Sequence, residues 1–99
     1  MSAEATVRRL VAAIYPASEV WHHVSPRRGR RAEAHYVLRG PTRYAHVTEG
    51  SGATADAAWA DAADRLRRDA EGRLGRARAE RDRADADIAR LTVALEVTR

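Results

Sequence analysis

Four guanidinium groups crowd one short segment of this chain: Arg27, Arg28, Arg30 and Arg31, with Gly29 among them. Such a cluster suits phosphate oxygens. It would displace condensed counterions from a nucleic acid and bind with a steep salt dependence. A second constellation is imidazole-based. His23, His35 and His46 fall in three separate apolar-alternating segments, with Glu33 nearby, and one His from each strand could ligate a transition metal. No compact ligand motif accompanies them, so no metal or other cofactor is expected. Glu49-Gly50-Ser51-Gly52 before a helix has the form of an anion cradle. It lacks a P-loop Lys, however, and Asp56 opposes an anion, so a tight turn is expected. Ser18, Ser25 and Ser51 have no neighbouring base pattern, which leaves nucleophilic catalysis unsupported. The carboxylates sit mostly on one helix beside Arg. No catalytic residue is assigned, and the chain is expected not to be an enzyme.

The elements that must position these groups follow from periodicity. Ser2 can cap a helix start, with Glu4 in the first turn. Val7, Leu10, Val11 and Ile14 make one apolar face, and Pro16 ends the helix near Tyr15. Val20 to Val24 alternates weakly, placing Trp21 and His23 on the opposite face. Residues 25–30 have turn composition. Next comes the clearest strand: Ala32, Ala34, Tyr36 and Leu38 are expected to face the helices, and Glu33, His35, Val37 and Arg39 water. Gly40-Pro41 turns the chain into a third strand, from about Thr42 to Glu49, with Ala45 and Val47 inward and Tyr44 and His46 outward. Gly50 and Gly52 then allow a sharp turn. Thr54 is the expected N-cap of a helix built on Ala58, Trp59, Ala62, Ala63 and Leu66. The fold class is therefore α+β, in α-β-β-β-α order, with a three-stranded antiparallel meander and one sheet face open to water.

The last helical pattern does not stop at Leu66. Leu74, Ala77, Arg81, Ala84, Ile88, Leu91 and Leu95 continue at spacings of three and four. Gly72 and Gly75 lie at the joint, where a kink, a frayed turn or a stutter in one long helix is expected. Residues 1–70 read as the α-β-β-β-α domain and 71–99 as a helical, coiled-coil-like extension. Leu74, Ala77, Ala84, Ile88, Leu91 and Leu95 are the expected interface with a homodimer mate or a helical protein partner. Acid-first pairs Asp61/Arg65, Asp64/Arg68 and Asp69/Arg73 support the helix, as do Arg76/Glu80, Arg78/Asp82, Arg81/Asp85 and Arg83/Asp87 in the weaker order.

Composition bounds the rest. The chain has 99 residues, a net charge of +4, no Cys and no Phe. One domain with a small core is implied, and disulfides and Cys-ligated zinc are excluded. All 18 basic residues are Arg, none Lys, which points to a GC-rich genome such as that of an actinobacterium or one of its phages. Residues 54–99 balance ten Arg with ten acids, so the whole excess belongs to the first half. A local basic excess is a sharper hint of an anionic partner than overall charge. No apolar run approaches the ~20 residues of a membrane span. The first residues read as a capped helix start and not a signal peptide. A soluble, cytoplasmic protein is expected.

At Gly50-x-Gly52-x-Thr54, followed by Ala58, Ala62-Ala63 and Leu66, the chain resembles the C-terminal half of a double-stranded RNA-binding domain. That family has α-β-β-β-α order, a Gly-x-Gly-x-Ser turn and an Ala-rich second helix, and the resemblance covers about residues 2–70. It implies that the loop after the first strand enters a minor groove. Here that loop is Arg27 to Arg31, and nucleic acid is the implied partner. The family opens its second helix with paired Lys, where this chain has Ala55 and Asp56. Small α-β-β-β-α domains of actinobacterial phages, the ABA sandwich among them, look similar in order and in the Ala58-Trp59…Ala62-Ala63…Leu66 helix. The chain thus reads as a small binding module that self-associates or docks a partner through its last helix, with nucleic-acid contact through the Arg turn. The alternative is a pure protein-interaction factor, a phage or mobile-element accessory protein without nucleic-acid affinity.

Overall fold

The computed structural model describes residues 1–26 and 33–99. It contains α1 (Ala3–Ile14), β1 (Glu19–Pro26), β2 (Glu33–Gly40), β3 (Val47–Gly52) and α2 (Ala55–Thr98). The expected α-β-β-β-α order, antiparallel meander and long C-terminal helix are all present. β2 is the central strand, paired antiparallel with β1 and β3.

Both helices start on hydroxyl caps. Ser2 Oγ accepts from the Ala5 amide and Thr54 Oγ1 from the Ala57 amide, each at 3.1 Å. Each cap satisfies one of the amides a helix start leaves free. α1 and the first turns of α2 lie side by side on one face of the sheet and run the same way. Arg8 stands over Trp59 and Tyr15 meets Asp69 and Arg73. Val7, Val11, Val37, Ala58, Trp59, Ala62, Ala63 and Leu66 form the core.

Val37 in that core corrects the expected facing of β2. The helix side carries His35, Val37 and Arg39, and Tyr36 and Leu38 lie on the other. The apolar alternation misleads because the helices cover only the middle of the sheet. Val37 takes that middle, and the polar residues flanking it find partners of their own. On the far face, residues 45 and 46 fold back over Gly40, where a Cβ would come 2.1 Å from the Ala45 carbonyl oxygen. Leu38 is therefore buried on the face expected to be open.

β3 also differs from its expected span. It begins at Val47, and residues 41–45 form bends in which Thr42 Oγ1 accepts from the Ala45 amide. Ala45 and Val47 are exposed, not inward. Gly50 and Gly52 belong to the strand and not to a turn. Their missing side chains let α2 approach: a Cβ on Gly50 would lie 2.4 Å from the Ala62 nitrogen. A bulge between Val37 and Leu38 accommodates Glu49 as an extra residue. Its carboxylate is turned to Arg39 on the helix side.

α2 is 44 residues long and continuous through Gly72 and Gly75, so no frayed turn interrupts it. The molecule extends 78 × 25 × 24 Å, and its radius of gyration is 20.9 Å. A compact chain of this length would have about 13 Å. The excess is the far half of α2.

Candidate functional site

From Glu71 to Arg99 every residue of α2 is exposed. Leu74, Ala77, Ala84, Ile88, Leu91 and Leu95 lie on one stripe of that helix, because steps of three and four return to the same face. Leu74 is 49% exposed, Ile88 63%, Leu91 57% and Leu95 57%. The stripe follows on from the Trp59–Leu66 face that packs on the sheet, displaced by a fraction of a turn. Arg81 interrupts it and bonds Asp82 next to it at 3.3 Å. Val93 and Val97 lie off the stripe and are also exposed.

Ion pairs line the helix, in part as expected. Arg65 meets Asp61 at 3.2 Å and Arg73 meets Asp69 at 3.1 Å. Asp64 pairs with Arg67 and not Arg68, and Asp87 with Arg90 and not Arg83. Pairs this exposed contribute little to stability.

A polar lock sits where α2 leaves the sheet, and sequence reasoning missed it. The Tyr15 hydroxyl donates to Asp69 Oδ2 at 3.0 Å and accepts from Arg73 Nη2 at 3.3 Å. The Arg39 guanidinium lies 3.6 Å from the centre of the Tyr15 ring, a cation–π contact. It also binds Glu49 at 2.5 Å, both side chains being largely buried. The Tyr15 hydrogen bond, aided by Arg73, holds the Asp69 carboxyl below its ordinary range, against the opposing effect of burial. Its bond to Asp69, then that to Tyr15, raises the Arg73 guanidinium. Tyr15 and Asp69 are 54 residues apart in sequence, so no local spacing announces them.

The histidines are arranged otherwise than expected. His35 is on the helix side, where its Nδ1 stands 2.8 Å from His22 Nε2 with the rings nearly parallel. Its other nitrogen is 3.8 Å from Glu33. The two ring nitrogens face each other and share one hydrogen bond. They do not converge with a third ligand, and no metal-holding group of three occurs among the described residues. His46 packs edge-on against Trp21, with ring centres 5.8 Å apart. Trp21, His23, Leu38, Arg43 and His46 line a shallow depression of about 390 Å³. Tyr44 is fully exposed.

The Gly50-Ser51-Gly52 amides are not an empty cradle. The Ser51 amide already donates to Asp61 Oδ2 at 3.0 Å, a carboxylate of the chain's own helix. Arg27, Arg28, Arg30 and Arg31 lie outside the described residues. No helix of the described residues is long and apolar enough to cross a membrane. No protein-family model, curated protein or solved structure matches the chain.

Proposed function

We propose that this chain is a small non-catalytic binding module that pairs through the Leu74–Leu95 seam with a second copy of itself or with a partner helix. One observation carries the reading: residues 71–99 are exposed throughout, yet they keep an apolar heptad stripe. An isolated helix of this length is marginal in water, and most helical stability comes from packing one face. A stripe of Leu and Ile on a projecting helix therefore implies a partner for that face. Among the described residues, Leu74, Ile88, Leu91 and Leu95 are large apolar side chains left exposed at heptad spacing.

The test is sedimentation or light scattering over a concentration series, with Leu91→Asp as the control. Mass is expected to rise with concentration in the parent and to stay at the monomer value in the variant. Identical monomers at all concentrations would remove self-association and leave hetero-docking to be tried with candidate helices.

A further inference from the structure

We infer that the sheet face turned away from the helices, together with the 41–46 bend, is a platform on which bases of a single-stranded nucleic acid stack. This surface lies apart from the α2 seam, and the inference does not depend on the pairing proposed above.

Trp21 stands opposite Leu38, and His23 opposite Tyr36, in the β1–β2 register. Cross-strand partners share a face, so all four project from the side that neither helix covers. Leu38 is buried and floors the depression there. Trp21 is half-buried and lines it, with His23, Arg43 and His46. The depression holds about 390 Å³, toward the small end of the roughly 300–1,000 Å³ of small-ligand clefts.

The 41–46 bend is fastened. Thr42 Oγ1 accepts from the Ala45 amide at 3.1 Å. His46 Nδ1 donates to the Arg43 carbonyl at 3.0 Å. A carbonyl can only accept, so Nδ1 carries the proton and Nε2 is left as the acceptor of the neutral ring. Residues 45 and 46 are also seated over Gly40. Between the two lining residues of this bend, Tyr44 is 99% exposed. Single exposed rings are ordinary. Here Trp21, Tyr36 and Tyr44 share one surface with two imidazoles and a guanidinium.

Charge selects the partner. No carboxylate lines the depression. Glu49, the one acid of β3, is turned to Arg39 on the helix side. Arg43 makes no ion pair among the described residues. The surface therefore offers π faces beside an uncompensated cation, and the matching chemistry is an aromatic base joined to a phosphate. A duplex hides its base faces in its own stack, whereas a single strand can splay them out. Trp21 and His23 lie two residues apart on β1, about 6.8 Å along it, twice the ~3.4 Å between stacked bases. The platform thus fits bases parted from one another.

The test titrates the full chain at low salt with a single strand of ~10 nucleotides, its duplex and mononucleotides, reading indole fluorescence. Trp59 is 6% exposed, so quenching by a stacked base reports Trp21. Phosphate attraction elsewhere on the chain adds affinity without that quenching. The single strand should quench and the duplex should not. Tyr44→Ala removes no packing and should weaken single-strand binding roughly 5- to 100-fold. Arg43→Ala should lower the slope of log affinity against log salt by about 0.7. These results together support the inference. Single-strand binding without quenching, binding untouched by Tyr44→Ala, or an unchanged slope in Arg43→Ala overturns it, as does no binding at low salt. Mononucleotides that bind as tightly as the strand also overturn it and reassign the depression to a free nucleotide.

Discussion

Tyr15, Asp69 and Arg73 decide how firmly α1 is fastened to the point where α2 departs. The Asp69 carboxyl is held below its unfolded value, so its contribution is complete above the ordinary carboxylate range, near pH 4. It is lost as pH falls through the depressed folded value. Asp69→Asn should therefore lower the melting temperature at pH 7, with the gap to the parent closing as pH falls below the ordinary carboxylate range. A gap that stays constant with pH would assign the effect to shape and not to charge. Two glycines offer a contrast at the same scale. Gly50→Ala drives a methyl into the Ala58–Ala62 backbone and should cost about 1–3 kcal/mol in urea denaturation. Gly75 has nothing within 4 Å of an added Cβ, so Gly75→Ala should raise helix stability by about 1 kcal/mol. Equal effects of the two substitutions would contradict the close approach of α2 to β3.

At the scale of elements, α2 has two unlike halves. Its first half is a packing element, buried at Ala58, Trp59, Ala62, Ala63 and Leu66, and its second half touches nothing. The sheet domain should not need the second half. A chain of residues 1–76 retains the core and the Tyr15–Asp69–Arg73 lock. It should melt cooperatively within a few degrees of the full chain at concentrations where the full chain is monomeric, and stay monomeric itself. A large fall in the melting temperature of dilute samples would mean that residues 77–99 fold back on the sheet. The sheet's own margin is narrow because few large side chains fill the core. Leu66 is the bulkiest of the fully buried ones.

At the scale of the whole molecule, shape and charge are separate devices. The 78 Å length comes from α2, and the charge excess comes from residues 1–53. If Arg27, Arg28, Arg30 and Arg31 grip phosphates, binding to duplex RNA, duplex DNA or single strands should weaken steeply between 50 and 200 mM salt, by roughly tenfold or more. Changing all four to Ala should abolish it. Absence of binding by the parent at low salt would leave the protein-interaction reading alone, and the cluster would reflect the chain's general use of Arg as its only basic residue.

The order of elements, both hydroxyl caps, the end of α1 at Pro16 and the apolar seam of α2 were all legible in the sequence. Each rests on local rules: a side-chain oxygen three residues from an amide, a ring that forbids the next helical bond, a step of three or four. What faced what was not legible. Val37 against the helices, Leu38 beneath the 45–46 bend and Glu49 turned to Arg39 depend on where α2 lies. That depends in turn on Gly50 and Gly52 lacking a side chain. Tyr15 found Asp69 across 54 residues, and His22 met His35 across a strand pair. Periodicity reports which residues share a face. Only the packed helices determine which face is inside, because burial is a property of the neighbours and not of the strand.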